Sequence, residues 1–570
     1  MKRAPMKRIA ILSFLALALA GLGWGTYQAA SPRVPLSKYM PAGPLLYLDA
    51  KDFSSLLDDW NDSPQKRQWV RSDNYEVFSR SRLFLRLKGA GDQFATAAGL
   101  PPSMDFLAQV AGRNSALAIY DIGKLQFLYI TELPSARSMR TALWQTRAKF
   151  EPRNAGGVDF YVRKDSESQR EVAFAVSGDY LLLATREDLM AGALHLMAGT
   201  QGHTVETESW WTQSTAAAGE SGDLRMVLDM QNLVPNGYFR TYWAQQNITE
   251  LSQYSAAISD LFRSSKEYRE DRVLIRKKES AVSAEGMAAV ADLSRLVPDD
   301  AGVFVASANP TPDACFALLE TKLLAPHIGP APAAQISPQV QLTSGEQGSS
   351  SDLETRIDEP PSLNAGSTQA GAELKRLLER NSATASLQIQ SSQKGQAGVF
   401  IRMHSLIVLS AASDWNTAEV HSALAEFVQP SLTAANLGFG WMQKNGYEQL
   451  NGLWPLTIAV RGKYLVASDD AALVEQVIPN FNRKSDRKPL ELFAGFQHGR
   501  ERTNFVRFAS LVDRPGSAAP SGSASGREPE FFSGNMASLS ATFADVSSEK
   551  IEVRSEGSRV MQSITYDWSR

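Results

Sequence analysis

Apolar and polar positions alternate weakly over 172–176 (Val-Ala-Phe-Ala-Val). An apolar run returns from Tyr180 to Ala184, after Ser177-Gly178-Asp179. Two segments rich in β-branched, aromatic and aliphatic side chains, joined by a Gly-x pair, predict a β-hairpin. Gly at the first central position suits a type II′ turn, because that position needs a positive φ. Thr185 and Asp188 then resemble a capping box. Leu189, Met190, Ala193, Leu194 and Met197 follow at a spacing that gives a helix one buried stripe.

The pattern recurs. Ala175-Val176-x-Gly178-x-Tyr180-Leu181 matches Ala459-Val460-x-Gly462-x-Tyr464-Leu465, each pair 284 positions apart. Leu473, Val474, Val477 and Ile478 repeat the helical stripe. Upstream, Met40-Pro41 and the apolar Leu45-Leu46-Tyr47-Leu48 parallel Val297-Pro298 and Gly302-Val303-Phe304-Val305, and Leu56-Leu57 parallels Leu318-Leu319. Strands expected at 116–120, 127–132 and 157–163, with a helix at 134–150, have counterparts in strands at 386–390 and 399–409 and a helix at 415–428. At the far end, 224–230 is expected to match 505–511 as a strand. The stretch 251–277 is expected to match 536–568 as paired strands, although 251–262 also fits a helix.

These repeats predict an α+β protein of two tandem homologous modules, each a mostly antiparallel sheet with packed helices. Residues 45–290 form the first module; 291–324 and 372–570 form the second. A chain of 570 residues is too long for one ordinary core. Residues 325–371, rich in Pro, Ala, Ser, Gln and Gly, read as a disordered insert, and 515–530 as a second, shorter one.

The N-terminus sets the compartment. Lys2, Arg3, Lys7 and Arg8 precede an uncharged apolar run over 9–25. Residues 1–30 therefore read as a signal peptide or an N-terminal membrane anchor. As a helix the run would be about 26 Å long, slightly short of a hydrocarbon core of roughly 30 Å. Ala18-Leu19-Ala20 fits a cleavage site, whereas Trp24 and Tyr27 suit interfacial anchors and favour retention. Residues 31–44 read as a stalk. The expectation is an inner-membrane, single-pass protein held through residues 9–25, its body outside the cytoplasm; the alternative is release to the periplasm after cleavage.

The Pro-strand-helix opening and the Ala-Val-x-Gly-x-Tyr-Leu hairpin resemble an uncharacterised bacterial envelope family known only as a domain of unknown function, numbered thirty-three fifty-two. The resemblance runs from about residue 36 to the C-terminus. It implies an exported protein with an N-terminal apolar segment, and it implies no activity.

A net charge of −3 with both signs interspersed argues against a nucleic-acid partner. Cys315 is the sole cysteine, so an internal disulfide and a multi-thiolate zinc site are excluded; it reads as a small buried residue. Ser63-Pro64-Gln65-Lys66 and Ser72-Asp73-Asn74 fit two motifs of penicillin-binding enzymes. They lie too close together to meet across a cleft, and no Lys-Thr-Gly occurs. Ser63 reads instead as an N-cap with Pro64 at N1. The six histidines show no metal-binding spacing. No catalytic, cofactor-binding or metal residue is assigned. Trp60, Trp69, Trp210, Trp211, Trp243, Trp441 and Trp454 read as core, or as the walls of a groove for an apolar ligand. The leading functional expectation is a non-enzymatic envelope binding or scaffold protein. The alternatives are a carrier of hydrophobic ligands such as lipids, with a groove in or between the modules, and an exported hydrolase with a non-sequential site.

Overall fold

The structure is a computed structural model that describes residues 34–101, 106–241, 248–279, 282–309, 311–324, 371–394, 401–424, 440–451, 456–501 and 546–568. The expected membrane segment at 9–25, the insert up to residue 370, the insert at 515–530, and Trp243 and Trp454 lie outside them.

Among the described residues there are twenty strands, all paired antiparallel. The first half supplies β1 (Leu46–Ala50), β2 (Ser115–Asp121), β3 (Gln126–Glu132), β4 (Glu151–Ala155), β5 (Val158–Lys164), β6 (Glu171–Ser177), β7 (Tyr180–Ala184), β8 (Leu224–Leu228), β9 (Tyr254–Arg263) and β10 (Glu267–Arg276). The second half supplies β11 (Val303–Ala308), β12 (Ala385–Lys394), β13 (Ile401–Ser410), β14 (Gly440–Gln443), β15 (Glu448–Asn451), β16 (Thr457–Arg461), β17 (Tyr464–Ser468), β18 (Leu492–Gln497), β19 (Val546–Glu556) and β20 (Arg559–Trp568).

The spatial order in the first half is β4-β5-β6-β7-β3-β2-β1-β8-β9-β10. In the second half it is β14-β15-β16-β17-β13-β12-β11-β18-β19-β20, the same order strand for strand. The register repeats as well. Asp49, Arg225, Asp260 and Asp271 face one another in a lateral row across β1, β8, β9 and β10. Ala306, Phe493, Glu552 and Ser563 form the corresponding row across β11, β18, β19 and β20. The two rows meet where Asp271 faces Ser563 in the antiparallel β10–β20 pair, so the halves join edge to edge into one continuous sheet. Separate sheets would each leave an exposed edge strand; the β10–β20 pair covers both.

Several local expectations match the structure. Gly178 and Gly462 have φ of +55° and +53°, whereas Asp179 and Lys463 stay out of the positive-φ region, as a type II′ turn requires. In the helix Glu187–Met197, the residues Leu189, Met190, Ala193 and Leu194 are buried; in Ala471–Val477 the buried residues are Leu473, Val474 and Val477. Residues 254–263 form a strand rather than a helix.

Others are corrected. Thr185 does not cap the following helix. Its Oγ1 accepts the Phe127 N–H at 2.8 Å, because Thr185 still lies beside β3. The expected single helix at 134–150 is broken into Ser135–Ser138, Ala142–Gln145 and a 3₁₀ turn at Arg147–Lys149. β4 and β14 add an outer strand to each half that the apolar pattern did not reveal. The counterpart of β8 is β18, not 505–511, which lies outside the described residues.

Each half of the sheet carries helices on both faces. On one face of the first half, Tyr47, Ala118, Ile130, Leu182 and Val227 pack with α-helical Met190, Leu194 and Trp211. The same face of the second half packs Phe304, Ile389, Val408 and Val466 against Val290 and Val474. The opposite face is where the halves differ, and it holds the site.

Candidate functional site

In the first half, the opposite face is covered by five consecutive helices: α1 (Phe53–Asp62), α2 (Pro64–Val70), α3 (Asp73–Ser79), α4 (Arg82–Ala98) and α5 (Phe106–Val110). Their boundaries follow from capping oxygens. Asp52 accepts from the Ser55 N–H, Ser63 from Lys66 and Ser81 from Phe84. Pro64 stands at the start of α2. Ser72 Oγ accepts the Tyr75 N–H at 3.1 Å. Both serines of the enzyme-like motifs therefore serve helix starts, and Lys66 Nζ bonds Asn61 Oδ1 rather than Ser63. α4 runs unbroken from Arg82 through Phe94 to Ala98. It ends at Gly99, which has φ +71°.

Between α4, α5 and the sheet lies a cavity of about 420 Å³, within the roughly 300–1,000 Å³ typical of small-molecule sites. Its floor is the sheet: Leu48 and Ala50 of β1, Leu117 of β2, Phe127 and Tyr129 of β3, and Leu183 of β7. Its roof is α4 and α5, through Leu87, Ala90, Gly91, Phe94, Phe106 and Leu107. Phe94 stands 6.0 Å from Phe106 and 5.9 Å from Phe127, ring centre to ring centre, and these three rings close part of the wall. Ala90 and Gly91 put little side chain into the space, and a Cβ added at Gly91 would meet no atom within 4 Å.

Charge enters the lining through Arg170, with Arg86 near it. Arg170 donates from Nε to Gln93 Oε1 at 2.9 Å and from Nη1 to the Lys124 carbonyl at 2.8 Å. Arg86 donates from Nη2 to the neighbouring Gly123 carbonyl at 3.0 Å and lies over the Tyr238 ring. Burial, and then the like charge of Arg86, hold the Arg170 guanidinium below its ordinary value. Two guanidiniums brought together in this way favour an anion beside them.

Asp49 adjoins the floor, in line with Arg225 and Asp260. Burial raises its carboxyl to about 6, against the pull of Arg225 and Lys51. Arg225 is committed to Asp260, which it grips through Nε at 2.7 Å and Nη2 at 2.9 Å; the Gly222 N–H adds a third bond to that carboxylate.

The same face of the second half is filled. There the helices Pro312–Leu319 and Ala372–Arg380 bury Cys315, Leu319, Leu374, Leu377 and Leu378 against Ile407, Leu409, Leu465 and Ala467. Cys315 Sγ donates to the Ala383 carbonyl at 3.3 Å, and burial pushes its thiol up to about 11, so it is a packed core residue and a poor nucleophile. Of the tryptophans, Trp210 and Trp211 are core, Trp69 and Trp441 are half-buried, and Trp60 is exposed. None of them lines the cavity, which belongs to phenylalanines and leucines. Among the described residues no group of three His, Cys, Asp or Glu side chains is placed to hold a metal ion, and no helix is long and apolar enough to cross a membrane.

No family model matches the chain, and no curated protein does. Among solved structures, crystal form I of TP0453 matches with a TM-score of 0.23 and 9% identity, over 43% of this chain and 80% of that one. Crystal form III of TP0453 matches with a TM-score of 0.24 and 11% identity, over 48% and 90%. Likeness at this level carries no argument about what the chain does.

Proposed function

We propose that this protein is a non-enzymatic binding protein of the bacterial envelope. It takes one apolar chain with an anionic head, a fatty acid or a lipid acyl chain, into the cavity of its first half. The carrying observation is the apolar cavity between α4, α5 and the sheet, with Arg170 in its lining and Arg86 near Arg170. The apolar walls take the chain, and the guanidiniums meet the head. The two halves are read as copies of one duplicated module, supported by their shared strand order and register. In this reading the first copy keeps a ligand space and the second has filled it with Leu374, Leu377 and Leu378. Residues 9–25 tether the body to the inner membrane, on the side away from the cytoplasm.

Titration with a fluorescent long-chain fatty acid in vesicle-free solution tests the reading. One saturable site per chain is expected. Arg170→Gln should weaken the fatty acid several-fold more than the alcohol of equal chain length. Absence of saturable binding would remove the proposal.

A further inference from the structure

We infer that the stretch 63–91 of the helical layer α1–α5, spanning α2, α3 and the start of α4, is a docking surface for an anionic lipid bilayer, placed so that the cavity mouth opens onto the membrane. The inference builds on the reading of the cavity as a lipid site.

The helices of this layer are poorly buried for their composition. No described residue from Phe53 to Thr96 is buried, although Phe53, Trp69, Tyr75, Phe78 and Phe84 lie within that span. The aromatic rings pack mainly on one another: Trp69 on Tyr75, and Phe78 on Phe84 at 5.4 Å between ring centres. By contrast, the helix Ala372–Arg380 on the same face of the second half buries all its leucines. Large apolar side chains of the layer stand in the open: Trp60 at 48% exposure, Val70 at 47%, Leu85 at 57% and Leu107 at 47%. A cluster of exposed apolar groups on one layer marks a surface that meets something apolar.

Charge selects the partner. From Ser63 to Gly91 the sequence holds seven Lys or Arg and two acids, a net +5, in a chain whose total is −3; the flanking stretches 53–62 and 92–110 hold five acids and no base, so the positive charge is confined to α2, α3 and the start of α4. Basic residues interleaved with Trp, Phe and Leu on short helices match the interface of an anionic bilayer, where each basic group near the surface adds about 1 kcal/mol. A protein partner would need matching acids and a complementary shape; a bilayer needs only the basic, apolar character that is present. The geometry also connects surface and cavity. Leu87 and Leu107 are exposed side chains of the layer and line the cavity at the same time. An acyl chain leaving the bilayer would therefore pass over apolar groups without crossing water.

The test uses the full chain with Leu85→Cys carrying an environment-sensitive fluorophore; Cys315 is buried and does not compete for label. A second sample carries the label at Lys488→Cys, on the other half. Vesicles of phosphatidylcholine alone, or with one-third phosphatidylglycerol, are added. A blue shift at position 85 is expected with the anionic vesicles only, with none at 488, and Arg71→Glu with Arg82→Glu should weaken it at least tenfold. Because the label reports its own surroundings, tethering through residues 9–25 cannot mimic the result. An unchanged label at 85, an equal shift with neutral vesicles, or a shift without vesicles that grows with protein concentration, as self-association would give, overturns the inference. Saturable fatty-acid binding that survives such a failure leaves the cavity reading standing; its loss with the vesicle response intact would overturn the cavity reading alone.

Discussion

Ser563 donates through Oγ to Asp271 Oδ1 at 2.7 Å, and the two residues hold the same position in the two halves of the sheet. Their bond therefore lies at the local two-fold relation between the halves. Arg276 reinforces the junction from a neighbouring position, reaching Glu491 of the second half at 2.9 Å.

Ser563→Pro is expected to uncouple the halves, because a proline in a strand paired on both sides removes a ladder bond and clashes with its neighbours. Calorimetry should then show two separated unfolding transitions where the parent chain shows a coupled one. Ser563→Ala should cost about 1 kcal/mol, since Asp271 is partly exposed and keeps Arg269 at 3.1 Å. A proline variant that unfolds like the parent would contradict the role of the seam.

The two hairpin glycines should respond alike. Gly178→Ala and Gly462→Ala each place a Cβ on a positive-φ backbone, at a cost of about 1–2 kcal/mol. Chemical denaturation of both variants checks this. A neutral result at either site would mean that the turn there is not type II′.

Arg225→Ala leaves the Asp260 carboxylate, itself 3% exposed, without its bidentate partner. Removal of one member of a buried pair costs about 3–5 kcal/mol. Arg153→Ala, whose ion pairs are exposed, should cost under about 1 kcal/mol in the same denaturant series.

Asp49 gives a pH signature. Its folded carboxyl is held at about 6, against an ordinary value of 3.8. Between those values the folded chain binds more proton than the unfolded one, so this group's contribution to stability falls as pH rises from about 4 to 6 and is level above that window. Asp49→Asn should remove that part of the slope in a series of melts. A slope equal to the parent's would assign the effect elsewhere.

The features legible in the sequence are local ones. Gly178 and Gly462 announce their turns because few other residues accept that backbone. Ser63-Pro64 announces a helix start, and the Leu189 and Leu473 stripes announce buried helix faces. The β10–β20 junction joins residues nearly three hundred positions apart, and strand pairing at that range leaves no local mark. The extra outer strand β4, Glu-Pro-Arg-Asn-Ala, is mostly exposed and so carries no apolar alternation. The cavity was hidden for a different reason. Its floor is built of ordinary strand residues, and its roof is small where Ala90 and Gly91 line it. Three small residues between Leu87 and Phe94 in an otherwise helical pattern were the available signal. The apolar pattern pointed to the tryptophans and to a groove in or between the modules; the cavity lies within the first half, and none of the described tryptophans lines it.

Gly91 gives the sharpest test of whether this cavity holds an acyl chain. Its Cβ direction is open, so Gly91→Ala should stabilise α4 by about 0.5–1 kcal/mol, whereas Gly91→Trp should fill the space without disturbing the sheet. Native mass spectrometry of the purified chain, with solvent extraction of what it carries, compares the parent and both variants directly. About one acyl-bearing molecule per parent chain is expected, retained by Gly91→Ala and lost from a folded Gly91→Trp. A parent chain that carries nothing and takes up nothing, or a Gly91→Trp variant loaded like the parent, would contradict acyl-chain binding in the cavity.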